Sequence, residues 1–253
     1  MTSWHLTTTV PSPVVSADNG IKRALVVVAH PDDVDFGCAG TIAKWTGEGI
    51  DVSYCMITSG DAGGFDNAVD RAEMARIRQE EQCAAAAEVG VSDVVFLGYP
   101  DGRLSVSIEL RRDIARVIRQ RRPDRVISQS PERNWQRIQA SHPDHLAAGE
   151  ATIAAVYPDA RNPFAHPELL ADEGLKEHTV RELWVAGMDS PDTFVDVTET
   201  FDRKVAALRR HVSQVAHHDD LEGMLRGWLT MIAERGGLPE GRLAEAFRVV
   251  NTA

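Results

Sequence analysis

Five short apolar runs punctuate this chain: "ALVVVA" (24–29), "VSYCMIT" (52–58), "DVVFLG" (93–98), "DRVISQS" (124–130) and "ELWVAGM" (182–188). They show little alternation of apolar and polar residues, as expected of strands covered on both faces, and amphipathic segments separate the first four. Those segments, near 37–49, 70–89 and 105–121, carry helix formers, and "RAEMARIRQEEQCAAAAEVG" closes on Gly90, a residue suited to a helix C-terminal stop. Strand, helix, strand in this rhythm predicts a parallel sheet between two helical layers, an α/β three-layer sandwich. "FDRKVAALRRHVSQVA" and "LEGMLRGWLTMIAERG" predict helices in the last third, with no linker before them. The expected organisation is an N-terminal arm over 1–20 and one domain over 21–253, a length that single α/β domains reach.

Charge and composition narrow the function classes. A formal net charge of -11 repels nucleic acid and anionic membranes, so the expected partners are small and not strongly anionic. No apolar run approaches the roughly 20 residues that cross a bilayer. The N-terminus lacks the basic start and apolar core of a signal peptide. The three cysteines, Cys38, Cys55 and Cys83, form no CxxC pair and suit a reducing cytoplasm.

In open α/β sheets ligands bind beyond the carboxyl ends of the strands, and the first strand runs directly into His30-Pro31-Asp32-Asp33. Two adjacent carboxylates there repel, and neither sheds its charge cheaply without a cation or a donor nearby. Acids in a helix's first turn favour its dipole, which explains the aspartates but not His30. A second cluster of the same composition, Ser141-His142-Pro143-Asp144-His145, opens the apolar "LAAGEATIAAV" helix. Ser141 and Asp144 match a capping box, which accounts for neither histidine. His30, Asp33 and one of the two later histidines supply the mixed N and O ligands of a catalytic zinc with an open fourth position. The neighbouring acid, Asp32, is then free to act as base.

The residues resemble the LmbE-like or PIG-L-like zinc N-deacetylases of N-acetylglucosaminyl conjugates. The likeness runs from about Ala24 through "HPDD", "ITSGDAGG", "RQEEQCAAAAEVGV", "LGYPDGRL", "SHPDH" and "RRHVSQ". It implies a Rossmann-like sheet, zinc on His30, Asp33 and His145, and Asp32 as general base. It also implies His142 as acid or oxyanion-stabilising imidazole with Asp144 orienting it and keeping it charged. Arg78 and Asp101 fall at positions that resemble sugar hydroxyl contacts, Arg78 having a helix-face ion pair with Glu81 as its structural alternative. Asp61 stands where many members have glutamate, and Ala140 where some have tyrosine. Family members often form trimers or hexamers, so a homo-oligomer is implied.

The expected reaction is hydrolysis of an N-acetyl amide on a small amino sugar, releasing acetate and free amine. An amidase acting on a larger sugar-thiol conjugate would share this chemistry. A non-catalytic metal-containing binding module would leave Asp32, His142 and Asp144 without a task. Trp135 is a candidate for stacking on a sugar ring or for packing.

Overall fold

The computed structural model describes residues 20–65, 68–138 and 141–253. The arm over 1–20 lies outside them except for Gly20, as does Ala140. Seven strands form one sheet: β1 (Arg23–Val28), β2 (Asp51–Thr58), β3 (Asp93–Tyr99), β4 (Arg125–Gln129), β5 (Glu182–Ala186), β6 (Thr193–Asp196) and β7 (Ala244–Asn251). Their order is β3-β2-β1-β4-β5-β7-β6. The first five run parallel, while β7 pairs antiparallel with both β5 and β6. Residues 24–28 of β1 are all buried, which is the burial that an unbroken apolar run anticipates.

Helices α1 (Asp33–Gly47) and α2 (Arg71–Glu88) cover one face, where Val26, Val28, Ile42, Trp45, Tyr54 and Met56 share a core. On the other face, α3 (Ile108–Arg121) and α4 (Pro143–Ala154) pack with Leu25, Val27, Ile57, Ile114, Ile118 and Ala148. This is the predicted three-layer α/β architecture. α2 begins where Asp70 accepts the amide hydrogen of Glu73, and Gly90, at φ 82, turns the chain out beyond its C-terminus. After the short helix α5 (Pro167–Ala171) and β6 come α6 (Phe201–Arg210), α7 (Val212–Val215) and α8 (Leu221–Arg235). α6 packs against α1 and α2, so the C-terminal helices join the face that carries α1.

The last third departs from its all-helical expectation at β6 and β7. "TFVD" is too short to declare itself, and "AEAFRVV" mixes helix formers with β-branched residues. Pairing with β5, distant in sequence, makes β7 a strand. α1 also starts at Asp33, earlier than the 37–49 reading, because the acidic residues themselves form its first turn.

In this strand order the chain reverses direction across the sheet between β1 and β4. Neighbouring crossovers therefore leave on opposite faces and open a crevice at the carboxyl ends of these two strands. The side-chain oxygen of Gln129, at the end of β4, accepts the amide hydrogen of Ala29 (2.9 Å) and ties the two ends together.

Candidate active site

Four loops converge over this crevice. The loop after β1 carries His30, Asp32 and Asp33; those after β2 and β3 carry Asp61 and Asp101; the loop after β4 delivers His142 and His145 to the first turn of α4. His30 Nδ1 lies 3.2 Å from His145 Nε2 and 3.3 Å from Asp33 Oδ2, and His145 Nε2 lies 3.0 Å from Asp33 Oδ1. Ligand atoms about 2.0–2.2 Å from one tetrahedral zinc stand roughly 3.3–3.6 Å apart, so these three groups fit a single cation with little adjustment. Two imidazole nitrogens that face each other beside a carboxylate need a proton or a cation between them. His142 also approaches, with its ring centroid 5.0 Å from that of His30 and 5.3 Å from that of His145. Of the two later histidines, the direct contact to Asp33 belongs to His145.

The other nitrogen of His30 explains Asp101 and Asp144. Nε2 lies 3.0 Å from Asp101 Oδ1 and 3.3 Å from Asp144 Oδ2, so it carries the hydrogen and leaves Nδ1 as a lone-pair donor. A carboxylate behind a ligating imidazole is the usual way to orient such a ring and raise its basicity. Burial opposes a charge on His30, but Asp101, Asp144 and Asp33 overcome it and hold the imidazole up to about 12, so that with no cation bound Nδ1 carries a proton too, which a metal there would displace. Burial likewise works against Asp33, and the nearby His145 and His30 outweigh it, keeping the carboxyl well below the usual range. The site is thus built to hold positive charge.

Asp32 has a different environment. Burial and the adjacent Asp33 push its carboxyl up to about 7, against the pull of Arg78, His211 and His30. Its backbone is left-handed, at φ 86 and ψ -27, and its Oδ2 meets Arg78. Arg78, 4 % exposed, donates to Asp32 Oδ2 (3.2 Å), to the Pro31 carbonyl (2.6 Å) and to the Gly60 carbonyl (3.0 Å). A Cβ at Gly60, itself at φ 67, would collide with that guanidinium, which accounts for glycine in "SGDAGG".

Arg78, Asp61 and Asp101 each meet partners within the protein. Arg78 does not pair with Glu81, whose carboxylate accepts from Ser213; its guanidinium holds Asp32. Asp61 takes Arg71 on Oδ2 (2.7 Å) and the amide hydrogen of Asp101 on Oδ1 (2.9 Å), locking the loops after β2 and β3 together. Asp101 faces His30 and the amide of Ala62 (3.1 Å). Buried charges are stable only when partnered, and these three find their partners within the protein.

Asp144 differs too. Its carboxylate accepts from the amides of Gly102 (2.7 Å) and Leu104 (3.2 Å) and faces His30, instead of orienting His142. The capping box is also not formed. The N-cap of α4 is His142, whose Nδ1 accepts the Asp144 amide hydrogen (3.2 Å), while Ser141 Oγ accepts from Asn134. This bond makes Nδ1 the acceptor and places the hydrogen of a neutral His142 on Nε2. Burial and the positive fields of His30 and His145 depress its pKa, so the neutral ring, not the imidazolium, is favoured at neutral pH.

A family model described as PIG-L, GlcNAc-PI de-N-acetylase, matches residues 25–156, from β1 into the segment after α4. The chain belongs to this PIG-L family. It is 35% identical over 233 residues to a diacetylchitobiose deacetylase of Thermococcus kodakarensis, covering 92% of this chain and 84% of that one. It is 32% identical over 200 residues to a probable N-acetyl-alpha-D-glucosaminyl L-malate deacetylase 2 of Bacillus cereus, covering 76% of this chain and 84% of that one. Among solved structures, the N,N'-diacetylchitobiose deacetylase of Pyrococcus horikoshii superposes with a TM-score of 0.84 at 30% identity, covering 93% of this chain and 86% of that one. The matched region of this PIG-L family member contains every residue of the convergent site.

Sequence reading missed Gln82, Gln129 and Asp35. Gln82 could have been noticed one helical turn beyond Arg78 and therefore on the same face of α2. Beside Asp33 and His145, a cleft continues past Phe36, Ser130 and Gly187 to Trp228 of α8. Trp135 stands 81% exposed on the loop after β4 and is not a packing residue of the core. No described helix is long and apolar enough to cross a membrane.

Proposed function

We propose that this chain is a zinc-dependent hydrolase that removes the N-acetyl group from a small N-acetylglucosaminyl conjugate, with residues 21–253 acting as one catalytic domain in the cytoplasm. The observation that carries the reading is the His30–Asp33–His145 cluster with one further carboxylate, Asp32, adjacent to it and held by Arg78. Deacetylase relatives that act on N-acetylglucosaminyl compounds support the substrate class.

Zinc held by His30, Asp33 and His145 would polarise the amide carbonyl and ease deprotonation of an attacking water. Asp32, with its carboxyl near 7, is poised to take that proton at neutral pH and return it to the departing amine nitrogen. The Nε2 hydrogen of neutral His142 donates to the oxygen of the tetrahedral intermediate, the oxyanion-stabilising option of its two expected roles. Collapse breaks the C–N bond and yields acetate and amine. Asp144 and Asp101 orient His30 throughout. The cleft toward Trp228 leaves room for an aglycone, so a bulkier amide on a sugar-thiol conjugate is the second reading. The assembly is expected to be a trimer or hexamer.

The test is metal content together with acetate release from a panel of N-acetylglucosaminyl conjugates, diacetylchitobiose among them, for wild type, Asp32→Asn and Asp33→Asn. Wild type should hold about one zinc per chain, and Asp32→Asn should keep it while kcat falls on the order of 10²-fold or more. Asp33→Asn should lose metal. Cleavage of simple peptides or esters without acetate release from any sugar would refute the substrate class, and reversed behaviour of the two mutants would refute the roles.

A further inference from the structure

Asp32 adopts a left-handed conformation that a non-glycine residue rarely takes, and such strain persists where the surroundings over-determine it. Two side chains from one face of α2 grip this residue. Arg78 holds its carboxylate and the carbonyl before it, as described above. One turn further on, Gln82, fully buried, accepts the backbone amide hydrogen of Asp32 on Oε1 at 2.8 Å. We propose that Gln82, oriented by Asp35, is a positioning residue that holds the Asp32 backbone in its left-handed conformation and thereby aims the base, an inference that rests on the hydrolytic reading above.

The argument is one of hydrogen-bond polarity. A carboxamide has a donating end and an accepting end of nearly the same shape, so packing alone does not choose between its two orientations. The choice comes from Asp35, two residues into α1 and also fully buried, whose Oδ2 accepts from Gln82 Nε2 at 2.9 Å. A carboxylate only accepts and a backbone amide only donates, so the Gln82 side chain satisfies both neighbours in a single orientation. His211, buried beyond the end of α6, places Nε2 2.8 Å from the same Oδ2 and helps to fix the Asp35 rotamer. The chain His211, Asp35, Gln82, Asp32 thus transmits the placement of the C-terminal helices to the catalytic loop. Gln82, Asp35 and His211 reach the reaction only through Asp32.

This reading predicts a rescue that simple packing does not. Asp35→Asn alone allows the Gln82 carboxamide to turn over and set its N–H against the Asp32 N–H. Gln82→Glu alone sets two carboxylates face to face. Combined, the new glutamate accepts from both the Asp32 amide and the new asparagine, whose Nδ2 stands where Oδ2 was and also donates to His211 Nε2 in the other tautomer of that neutral ring, with the number of charges unchanged. The experiment measures kcat and KM for acetate release on the plateau of the pH profile, zinc content and thermal melting for both single variants, the double variant and Gln82→Met. Each single variant and Gln82→Met should lower kcat on the order of tenfold or more, with KM and zinc content near wild type, as expected for a misplaced base. The double variant should recover most of the kcat lost by either single change.

Wild-type kcat in Gln82→Met, or a double variant no faster than the slower single variant, would overturn the proposal. If Asp35→Asn does not fold, Gln82→Met carries the test alone. Should zinc-loaded wild type release no acetate from any conjugate, the hydrolytic reading fails first. The crystal structure of Gln82→Met then decides positioning separately: Asp32 remaining at positive φ with its side chain in place overturns it, and relaxation to negative φ upholds it.

Discussion

Replacing Arg78 by methionine tests how the environment of Asp32 sets the working pH. The guanidinium stands 3.2 Å from Asp32 Oδ2 and is among the groups that pull this carboxyl down from the level set by burial and Asp33. At that separation and an effective dielectric constant of about 20, the attraction is at most about 5 kcal/mol, and relaxation with entering water reduces the realised part to about 1–2 kcal/mol. Since about 1.4 kcal/mol corresponds to one pKa unit, Asp32 should titrate roughly one unit higher without Arg78. A general base acts when deprotonated, and this is the role proposed for Asp32. Raising its pKa therefore moves the acidic limb of the kcat/KM profile up by about one pH unit, lowering activity up to about tenfold on the acidic side of the limb and restoring it above the limb. A bound cation lowers the limb in both proteins, so the difference between the two profiles is the quantity to read. Arg78→Lys keeps the charge and should leave the limb near its wild-type position, although loss of the fork to Pro31 and Gly60 lowers kcat. A methionine variant whose acidic limb coincides with wild type would refute this account of Asp32.

The remaining predictions address the cluster and its support. His145→Ala should lose metal, whereas His142→Ala should keep it and lower kcat about 10²- to 10³-fold; equal metal loss in both would contradict the separation of ligand and oxyanion donor. Chelation should lower the melting temperature, because zinc at a hundredfold over its Kd stabilises by about 2.7 kcal/mol and each kcal/mol moves a chain of this size about 2–4 °C; an unchanged melt would speak against a tight site. Lys204, fully buried, donates to the carbonyls of Asp35 and Phe36 and to Glu245, which in turn accepts the amides of Gly40 and Thr41 in α1. Lys204→Met leaves that carboxylate uncompensated and should cost about 3–5 kcal/mol in urea unfolding, with Glu245→Gln in the same background recovering part of it.

Local patterns made part of this protein legible in the sequence alone. Continuous apolar runs mark strands buried on both faces, helix formers between them mark crossovers, and the two His-Pro-Asp clusters follow the first and fourth runs, where an α/β sheet places its ligands. Gly90 marked the end of α2 for the same reason, since a helix stop is a property of a few consecutive residues. Only the tertiary structure decided which later histidine meets Asp33, because His142 and His145 share a helix turn and differ in where α4 sets them over β1. It also turned Asp144 onto His30, moved Arg78 behind Asp32, and recruited Gln82, Asp35 and His211 from three separate helical segments. β7 became a strand only on meeting β5. These are contacts between residues from about 46 to 176 positions apart. A buried charge or amide takes whichever partner the packed helices bring within hydrogen-bonding reach, and sequence spacing carries no record of that choice.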